Sequence, residues 1–252
     1  MDSRRKIYFA ADAHLGNRYL PDPQAAEKRL VRWLDSIGAQ ARAIYFLGDM
    51  FDYWYEYRHV VPRGFVRFLG KLAELADRGV EIHLFAGNHD IWMFDYLPRE
   101  IGAVIHQGPE TVDLMGRRFL LAHGDEVGER PFTFRFLRAM FRNRICQRLY
   151  AAIHPRWTFA FARWWSYSSR KNGTDGQTPE MQAQQNTYLI DFAKAYLRTC
   201  PDIDCFIFGH RHVLLDMKLD PASRLLVAGD WMQHFSFIEW DGENLQLKIF
   251  ES

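Results

Sequence analysis

The feature that most constrains the fold of this 252-residue chain is a series of short apolar runs, each of which ends in a polar cluster. The runs are rich in β-branched and aromatic residues and cover residues 7–11, 44–47, 82–86, 119–122 and 206–208. A short run of this kind that stops at Gly or Asp is typical of a buried strand. The clusters that follow are Asp12-Ala13-His14, Gly48-Asp49, Gly87-Asn88-His89-Asp90, His123-Gly124-Asp125 and Gly209-His210-Arg211-His212. Because open α/β sheets place their sites at the carboxyl ends of strands, we expect these clusters to meet in one crevice.

Seven side chains in these clusters are of types that bind metal ions: Asp12, His14, Asp49, Asn88, His123, His210 and His212. Carboxylate, imidazole and amide oxygen without a thiolate favour Mn, Fe, Zn or Mg over softer ions. Seven ligands are too many for one tetrahedral ion, so we expect two ions that share Asp49. The predicted sets are Asp12, His14, Asp49 and His212 for one ion, and Asp49, Asn88, His123 and His210 for the other. Two ions about 3.5–4 Å apart can activate a water and neutralise charge on an in-line phosphoryl transition state.

A single His or Asp after a strand is usually a hydrogen-bonded turn residue, and only the ordered set of clusters predicts a site. The histidines that fit no cluster are His59, His83, His106, His154 and His234, and we expect them to be structural.

Composition predicts a soluble enzyme with one sizeable core and room for an insertion, since 48% of residues are hydrophobic and 25% are charged. The three cysteines, Cys146, Cys200 and Cys205, are odd in number and lack CxxC spacing, which favours reduced thiols in the cytosol. The apolar stretch after the basic start ends at Asp12, too early for a signal-peptide core. No run approaches the roughly 20 apolar residues of a membrane-spanning helix.

Alternating strands and helices in the first half, followed by hairpins, predict an α/β (α+β) fold of two packed sheets with helices outside. Helices are expected at about 24–40, 64–78 and 91–100, and a hairpin at 110–115 and 117–122 with its turn at Gly116. Later strands are expected at 204–208, 213–219, 224–229, 234–240 and 245–250.

The segment between the fourth and fifth clusters is basic and aromatic. Ten of the 32 Lys and Arg residues lie between 130 and 171, a stretch without Asp or Glu. Its apolar residues Phe134, Leu137, Phe141, Ile145 and Leu149 recur at helical spacing, and a second amphipathic helix is expected beyond Pro155.

A basic amphipathic helix pair rich in aromatics predicts a membrane-surface element or a lid. Two alternatives remain: a helical excursion whose apolar stripe is ordinary core, and a nucleic-acid surface with stacking aromatics. The aromatics gather on apolar helix faces instead of along an open polar groove, which argues against nucleic acid.

The ordered series DAH, GD, GNHD, HGD and GHRH, spanning residues 12 to 212, resembles the signature of calcineurin-like metallophosphoesterases. The resemblance implies the same layered sandwich of two sheets. It also implies that Asn88 and the metals hold phosphoryl oxygens, that His89 protonates the leaving group or binds the phosphoryl oxygen, and that the Asp52 carboxylate orients His89. Asp90 is the competing partner of His89.

A narrower resemblance rests on the Arg-rich helix after Phe134-Arg135, on Pro155 and 168–171, and on the late Gly229-Asp230-Trp231. These features are similar to UDP-2,3-diacylglucosamine pyrophosphohydrolases, and the resemblance covers nearly the whole chain. The chain is therefore expected to have a core of 1–125 and 199–252 with an inserted helical lid at 126–198. Mn²⁺ is the expected ion, with Fe, Zn and Mg as alternatives. The resemblance implies hydrolysis of a nucleotide-linked diacylated sugar to UMP and an acylated sugar 1-phosphate in lipid A synthesis, by a cytoplasmic enzyme bound peripherally to the inner membrane of a Gram-negative bacterium.

Two positions depart from that family, which usually has GNRD where this chain has His89 and usually has Thr where this chain has Arg211. The alternative is therefore a phosphodiesterase or pyrophosphatase for another lipid-linked or soluble nucleotide diester. The expected substrate contacts are Ser168, Ser169, Arg170, Lys171, Asn172 and Arg211. Oligomeric state does not follow from the sequence.

Overall fold

The computed structural model describes residues 5–17, 20–128, 131–162, 164 and 179–251. The strands are β1 Lys6–Ala10, β2 Ala41–Phe46, β3 Glu81–Phe85, β4 Val104–His106, β5 Glu110–Leu114, β6 Arg117–Ala122, β7 Cys205–Phe208, β8 Leu214–Lys218, β9 Arg224–Ala228, β10 Ser236–Trp240 and β11 Leu245–Ile249. The helices are α1 Pro23–Ile37, α2 Val66–Asp77, α3 Tyr96–Ile101, α4 Phe132–Arg142, α5 Arg144–Ala151, α6 at 155–162 and α7 Pro179–Leu197.

The strands form two mixed sheets. The first has the order β11-β10-β1-β2-β3-β4, in which β1 to β4 are parallel and β10 runs antiparallel to β1. The second has the order β5-β6-β7-β9-β8, in which β6, β7 and β9 are parallel. The predicted α/β fold of two packed sheets with helices is confirmed.

Alternate residues of β1 explain how the first sheet packs on both faces. Ile7 and Phe9 lie in a core shared with Phe119, Leu121 and other residues of the second sheet. Tyr8 and Ala10 face the opposite core, which α1 and α2 supply with Leu30, Trp33, Phe68 and Leu72. Because successive side chains of a strand point to opposite faces, a strand with both faces buried is apolar throughout. This burial produces the uninterrupted apolar runs in the sequence and leaves polar side chains to the strand ends.

Carboxylate side chains cap the starts of α1 and α2, one from the adjacent residue and one from a different helix. Asp22 caps α1 in the ordinary way, since its carboxylate accepts the N–H groups of Gln24 and Ala25. The helix α2 begins instead at the buried carboxylate of Glu27 on α1, which accepts the N–H groups of Arg67 and Phe68. The α1–α2 pair is therefore tied together at a helix terminus as well as through its apolar faces.

The predicted helix at 91–100 starts five residues too early, because α3 begins at Tyr96. The buried carboxylate of Glu56 accepts the N–H groups of Phe94, Asp95 and Tyr96, at distances of 2.7, 2.8 and 3.1 Å. This tertiary contact satisfies the free N–H groups of the first helical turn and sets where the helix starts. The short strand β4, which pairs with β3, was missed by sequence reasoning.

The helical spacing between Phe134 and Leu149 is interrupted at Asn143, whose extended backbone separates α4 from α5. The Asn143 side chain accepts the N–H groups of Ile145 and Cys146, at 2.9 and 3.2 Å, and so starts a new helix. The spacing of the apolar residues continues across the break, which is why the sequence reads as one helix.

The chain divides into two compact units, Met1–Glu126 with Ala193–Ser252, and Val127–Phe192. In the second unit, none of the residues that form α4 and α5 is buried. Phe132 is 78% exposed, Ile145 68% and Trp157 66%. Within the described ranges, no helix combines the length and the apolar character that crossing a membrane requires.

Candidate metal centre

The seven predicted ligands are brought together at the ends of β1, β2, β3, β6 and β7, and we call them the strand-end cluster. Asp49 is at its middle. The Asp49 Oδ2 atom is 3.7 Å from His14 Nε2 and 3.3 Å from His123 Nε2. The other oxygen, Oδ1, accepts the backbone N–H of His89 at 2.8 Å. One carboxylate oxygen is thus held by the backbone while the other lies between two imidazoles, which is the arrangement that a bridging ligand needs.

One side of the cluster consists of Asp12, His14 and His212, whose candidate ligand atoms all lie within 4.8 Å of one another. Asp12 Oδ1 is 3.8 Å from His14 Nε2 and 3.6 Å from His212 Nε2. The His14 and His212 rings are stacked, with centroids 5.1 Å apart. Asp12 Oδ2 accepts the backbone N–H of His210, so the orientation of the Asp12 carboxylate is fixed.

The other side consists of Asp49, His123 and His210, whose candidate ligand atoms also lie within 4.8 Å of one another. The Asn88 Oδ1 atom joins them at 3.3 Å from His123 Nε2. His123 Nδ1 lies 2.8 Å from the carbonyl oxygen of Leu47, and this contact makes Nδ1 the protonated nitrogen. Nε2 is therefore the His123 nitrogen that is directed toward Asp49 and Asn88.

The backbone of the cluster is strained. Five of the seven candidate ligands have positive φ angles: Asp12 56°, His14 41°, Asp49 53°, His210 67° and His212 51°. Such angles are uncommon for residues other than glycine, cost of order 1–3 kcal/mol each, and are concentrated at functional sites.

The glycines of the motifs make room for the ligands. A Cβ atom on Gly87 would lie 2.1 Å from Asp49 Oδ1, and one on Gly48 would lie 2.5 Å from His123 Nδ1. A Cβ atom on Gly209 would lie 2.8 Å from Asp12 Oδ2. These three positions need glycine because a side chain there would displace a candidate ligand.

The donor set fits divalent cations. Asp12 Oδ1 is fully buried, and no described residue donates a hydrogen bond to it. Burying an unpaired carboxylate oxygen is costly unless a cation or a donor reaches it. Carboxylate, imidazole and amide oxygen ligands suit Mn, Fe, Zn or Mg. The group around Asp12 and the group around His123 match a two-ion site, since Asp49 Oδ2 of the second lies 3.7 Å from His14 Nε2 of the first.

Burial and charge control protonation within the cluster. Burial lowers the pKa of His14 to about 4, so its ring is neutral at pH 7. Burial raises the pKa of Asp12 to about 6. Burial opposes ionisation of His123 and Asp49, but their mutual attraction outweighs it, so the pKa of His123 lies well above its usual value and that of Asp49 well below. A cation bound between Asp49 and His123 would replace the proton on the imidazole.

The contact that orients His89 differs from the prediction. His89 Nδ1 lies 3.0 Å from the main-chain carbonyl oxygen of Asp52, whereas the Asp52 carboxylate Oδ1 lies 3.5 Å from His14 Nδ1. The Asp52 N–H donates to the carbonyl oxygen of Leu15, so this segment runs beside the loop that carries His14. The Asp52 carboxylate is therefore placed to orient a candidate metal ligand, and its carbonyl oxygen orients His89.

The competing partner, Asp90, has a structural role. Its buried carboxylate accepts N–H groups from Gly87, Asp49, Met50 and Phe51. Burial and the nearby Asp49 charge raise the pKa of Asp90 to about 7. Asp90 thus holds the loops after β2 and β3 against each other and sets the distance between Asp49 and Asn88.

The predicted substrate contacts are only partly visible. Arg211 is partly exposed between His210 and His212. The others, Ser168, Ser169, Arg170, Lys171 and Asn172, lie outside the described residues.

Asp230 is a residue of the site that sequence reasoning missed. Its carboxylate Oδ2 lies 3.5 Å from His212 Nδ1, on the far side of that ring from Asp12. A Gly-Asp pair follows β9 just as Gly48-Asp49 follows β2, and this repeated strand-end pattern is the signal that could have identified it.

Two histidines outside the motifs pair with each other. His83 on β3 and His106 on β4 lie side by side, with His83 Nδ1 3.0 Å from His106 Nε2. His83 stacks on Tyr45 and His106 stacks on Phe85, with ring centroids 4.2 and 4.4 Å apart. The outer ring nitrogens face carboxylates, Glu81 at 3.7 Å from His83 and Glu110 at 3.9 Å from His106.

Comparison with known proteins shows which family this chain belongs to. Residues 5–214 match the family described as calcineurin-like phosphoesterase. The chain is 50% identical to a protein of Porphyromonas gingivalis named UDP-2,3-diacylglucosamine hydrolase, with 98% of each chain covered. It is 31% identical to a protein of the same name from Ralstonia nicotianae, over 89% of this chain and 83% of that one. A solved phosphoesterase from E. coli aligns with 97% of this chain and 92% of its own, with 15% identity and a TM-score of 0.45. The chain belongs to the calcineurin-like phosphoesterase family, whose members are metal-dependent hydrolases.

Proposed function

We propose that this protein hydrolyses the pyrophosphate bond of UDP-2,3-diacylglucosamine and releases UMP and an acylated glucosamine 1-phosphate, a step of lipid A synthesis. The observation that supports this most strongly is the arrangement of candidate ligands on both sides of Asp49 Oδ2. It occurs in a chain that matches the Porphyromonas gingivalis relative over 98% of both lengths. The geometry of the candidate ligands and the full-length match therefore both support hydrolysis of a nucleotide-linked acylated sugar.

The ligand assignment in this proposal follows the two sides of the cluster. Asp12, His14, Asp49 and His212 would hold one ion, and Asp49, Asn88, His123 and His210 would hold the other. Mn²⁺ is the proposed ion, with Fe, Zn and Mg as alternatives that the same donors accept. Two such ions would lower the pKa of a shared water and neutralise the charge that develops on the phosphoryl oxygens.

The chain's own groups have separate tasks in the reaction. The Asn88 amide binds a non-bridging oxygen as its charge develops. His89 donates a proton to the departing group from Nε2, because the Asp52 carbonyl oxygen holds Nδ1–H at 3.0 Å. The Asp52 carboxylate orients His14 through Nδ1 at 3.5 Å.

The second unit, Val127–Phe192, is proposed to bind the acyl part of the substrate and to hold the protein on the cytoplasmic face of the inner membrane. Its exposed Phe132, Phe136, Leu149 and Trp157 supply apolar surface. The ten cations between 130 and 171 supply contacts for anionic headgroups. Ser168 to Asn172 and Arg211 are proposed to contact substrate phosphate.

The proposal is tested by incubating purified protein and Mn²⁺ with UDP-2,3-diacylglucosamine and measuring UMP. Matched controls are UDP-N-acetylglucosamine, which has the same pyrophosphate without the two long acyl chains, and a simple aryl phosphodiester. We expect UMP release from the diacylated substrate to be at least tenfold faster, and to be lost in Asp49→Ala and His123→Ala. Equal turnover of all three compounds would contradict the proposed substrate and favour a general phosphodiesterase.

Membrane association is measured separately, by flotation with vesicles of zwitterionic lipid with and without anionic lipid. We expect the protein to float with the anionic vesicles and to be released by salt, since the contacts are largely electrostatic. Protein that stays at the bottom with both vesicle types would rule out the membrane part of the proposal alone.

A further inference from the structure

A buried carboxylate, Asp230, forms the centre of the turn between β9 and β10. Asp230 is 1% exposed. Its Oδ1 atom accepts N–H groups from Met232, Gln233 and His234, at 2.9, 2.6 and 3.0 Å. One oxygen of this carboxylate is therefore fully used by the turn itself.

The second oxygen of Asp230 faces two imidazoles. Oδ2 lies 3.1 Å from His234 Nδ1 and 3.5 Å from His212 Nδ1. The opposite nitrogen of His212, Nε2, lies 3.6 Å from Asp12 Oδ1. The His212 ring therefore stands between two carboxylates, one on each nitrogen.

The same turn is attached to the backbone of Asp12. The Trp231 N–H donates to the carbonyl oxygen of Asp12 at 3.1 Å, and the Ser236 N–H donates to the carbonyl oxygen of Asp230 at 3.2 Å. Gly229 has a φ of +75°, and a Cβ atom there would lie 2.1 Å from Ser236 Oγ. Because the turn is anchored to Asp12, the distance between Asp230 and the Asp12 side of the cluster is held constant.

We propose that Asp230 is a positioning residue that selects the His212 tautomer with the proton on Nδ1 and thereby directs the Nε2 lone pair toward the ion bound by Asp12 and His14. This inference rests on the proposed function, in which His212 is a ligand. A carboxylate behind a ligating imidazole fixes the ring and raises its basicity. The three turn N–H groups that donate to Asp230 Oδ1 favour the ionised carboxylate, so Oδ2 is available as an acceptor for the Nδ1 proton of His212.

The substitution that isolates this role is Asp230→Asn. Asparagine keeps a carbonyl oxygen for the three N–H groups of the turn, but its NH₂ group cannot accept the proton of His212 Nδ1. We expect wild-type protein to bind two Mn²⁺ ions. In Asp230→Asn one ion should bind about 10–100-fold more weakly while the other keeps its affinity. Equilibrium dialysis against Mn²⁺ with metal analysis measures both affinities without any substrate.

The matched control is His234→Gln, which removes the other imidazole from Asp230 Oδ2 and leaves His212 in place. We expect this variant to bind both ions with wild-type affinity. Metal-free Asp230→Asn should also unfold at nearly the wild-type temperature, because its turn contacts are kept. Wild-type affinity for two ions in Asp230→Asn would overturn the inference, as would equal weakening of both ions together with a large loss of stability.

A double-mutant cycle with His212→Gln separates this inference from the ligand assignment. If Asp230 acts through His212, adding Asp230→Asn to His212→Gln should not weaken Mn²⁺ binding further. Two tightly bound ions in His212→Gln alone would refute the proposed ligand set. A weakened ion in His212→Gln, combined with an additive effect of Asp230→Asn, would refute only the positioning role.

Discussion

The strand-end cluster and the His83–His106 pair both place imidazoles beside carboxylates, but their backbones differ. His83 and His106 lie within the regular strands β3 and β4 and stack against neighbouring aromatic rings. The cluster begins where the strands end, and Asp12, His14 and Asp49 have positive φ angles. The number of histidines is therefore a poor guide to function, and a strained backbone at a strand end is a better one.

Hydrogen bonding separates the two regions further. Each inner nitrogen of the His83–His106 pair has one partner, and one shared proton satisfies both. In the cluster, by contrast, Asp49 Oδ2 faces His14 and His123 together. Several donor atoms that point at one position can bind a cation, whereas a chain of pairwise contacts is complete without one.

The largest expected effect comes from removing the shared ligand by Asp49→Ala. We expect kcat/KM to fall by more than about 100-fold, because both proposed ions lose a ligand. Losing a residue that only orients a metal ligand typically costs up to about 100-fold. Metal analysis should show fewer than two ions per chain. The matched control in the other region, His83→Gln, should keep both ions and most of the activity. Loss of both ions in His83→Gln would erase the distinction between the regions.

The next effect concerns the proton donor. His89→Gln keeps the backbone N–H that holds Asp49 Oδ1, so Mn²⁺ affinity should stay close to that of the wild type. Removing a general acid typically costs about 10²–10⁴-fold, and we expect that loss in kcat. Steady-state kinetics and dialysis measure the two quantities separately. If Mn²⁺ affinity falls as far as kcat does, His89 is itself a ligand.

Metal removal should lower the stability of the protein only when the strand-end cluster is intact. Ligands that bind the folded state alone stabilise it by about 2.7 kcal/mol at a hundred times their dissociation constant. We therefore expect a chelator to lower the Tm of the wild type and of His106→Gln equally, and to leave the Tm of Asp49→Ala almost unchanged. A chelator effect of wild-type size in Asp49→Ala would place the ions elsewhere.

The smallest effect is the acid sensitivity of the His83–His106 pair. Burial lowers the pKa of both rings below the ordinary 6.5, and for His83 the His106 charge lowers it further. The unfolded chain therefore takes up more protons below pH 6.5, so stability is full above that value and is lost as pH falls toward the folded pKa values. In metal-free protein, His106→Gln should reduce this loss by less than the ~1.4 kcal/mol per pH unit of one fully linked proton.

Urea unfolding at pH 7.5 and 5.5 measures this difference. His59→Gln is the control, since His59 is exposed and should change nothing. Identical acid sensitivity in His106→Gln and the wild type would show that the pair is not a source of the pH dependence.

The sequence by itself determined the residues that gather at the site, because the signal is local. A strand buried on both faces needs an apolar run, and the first residues beyond it are the first that can be polar. That rule placed Asp12, Asp49 and His123 at strand ends without any knowledge of the sheets. It also identified the two-sheet fold, since the order of runs and turns reflects the connectivity.

Only the tertiary structure decided which atom of each residue makes the contacts that orient the site. Asp52 was recognised, but its carbonyl oxygen and not its carboxylate contacts His89 Nδ1, since that choice depends on how the segment pairs with Leu15. Asp230 lies 18 positions after His212 across a hairpin, and no spacing rule connects them. Glu56 likewise sets the start of α3 through hydrogen bonds to a segment 38 or more residues away in the chain. The pattern of buried and exposed residues can be predicted from the local sequence. Contacts between side chains from separate strands form only when the sheets pack together.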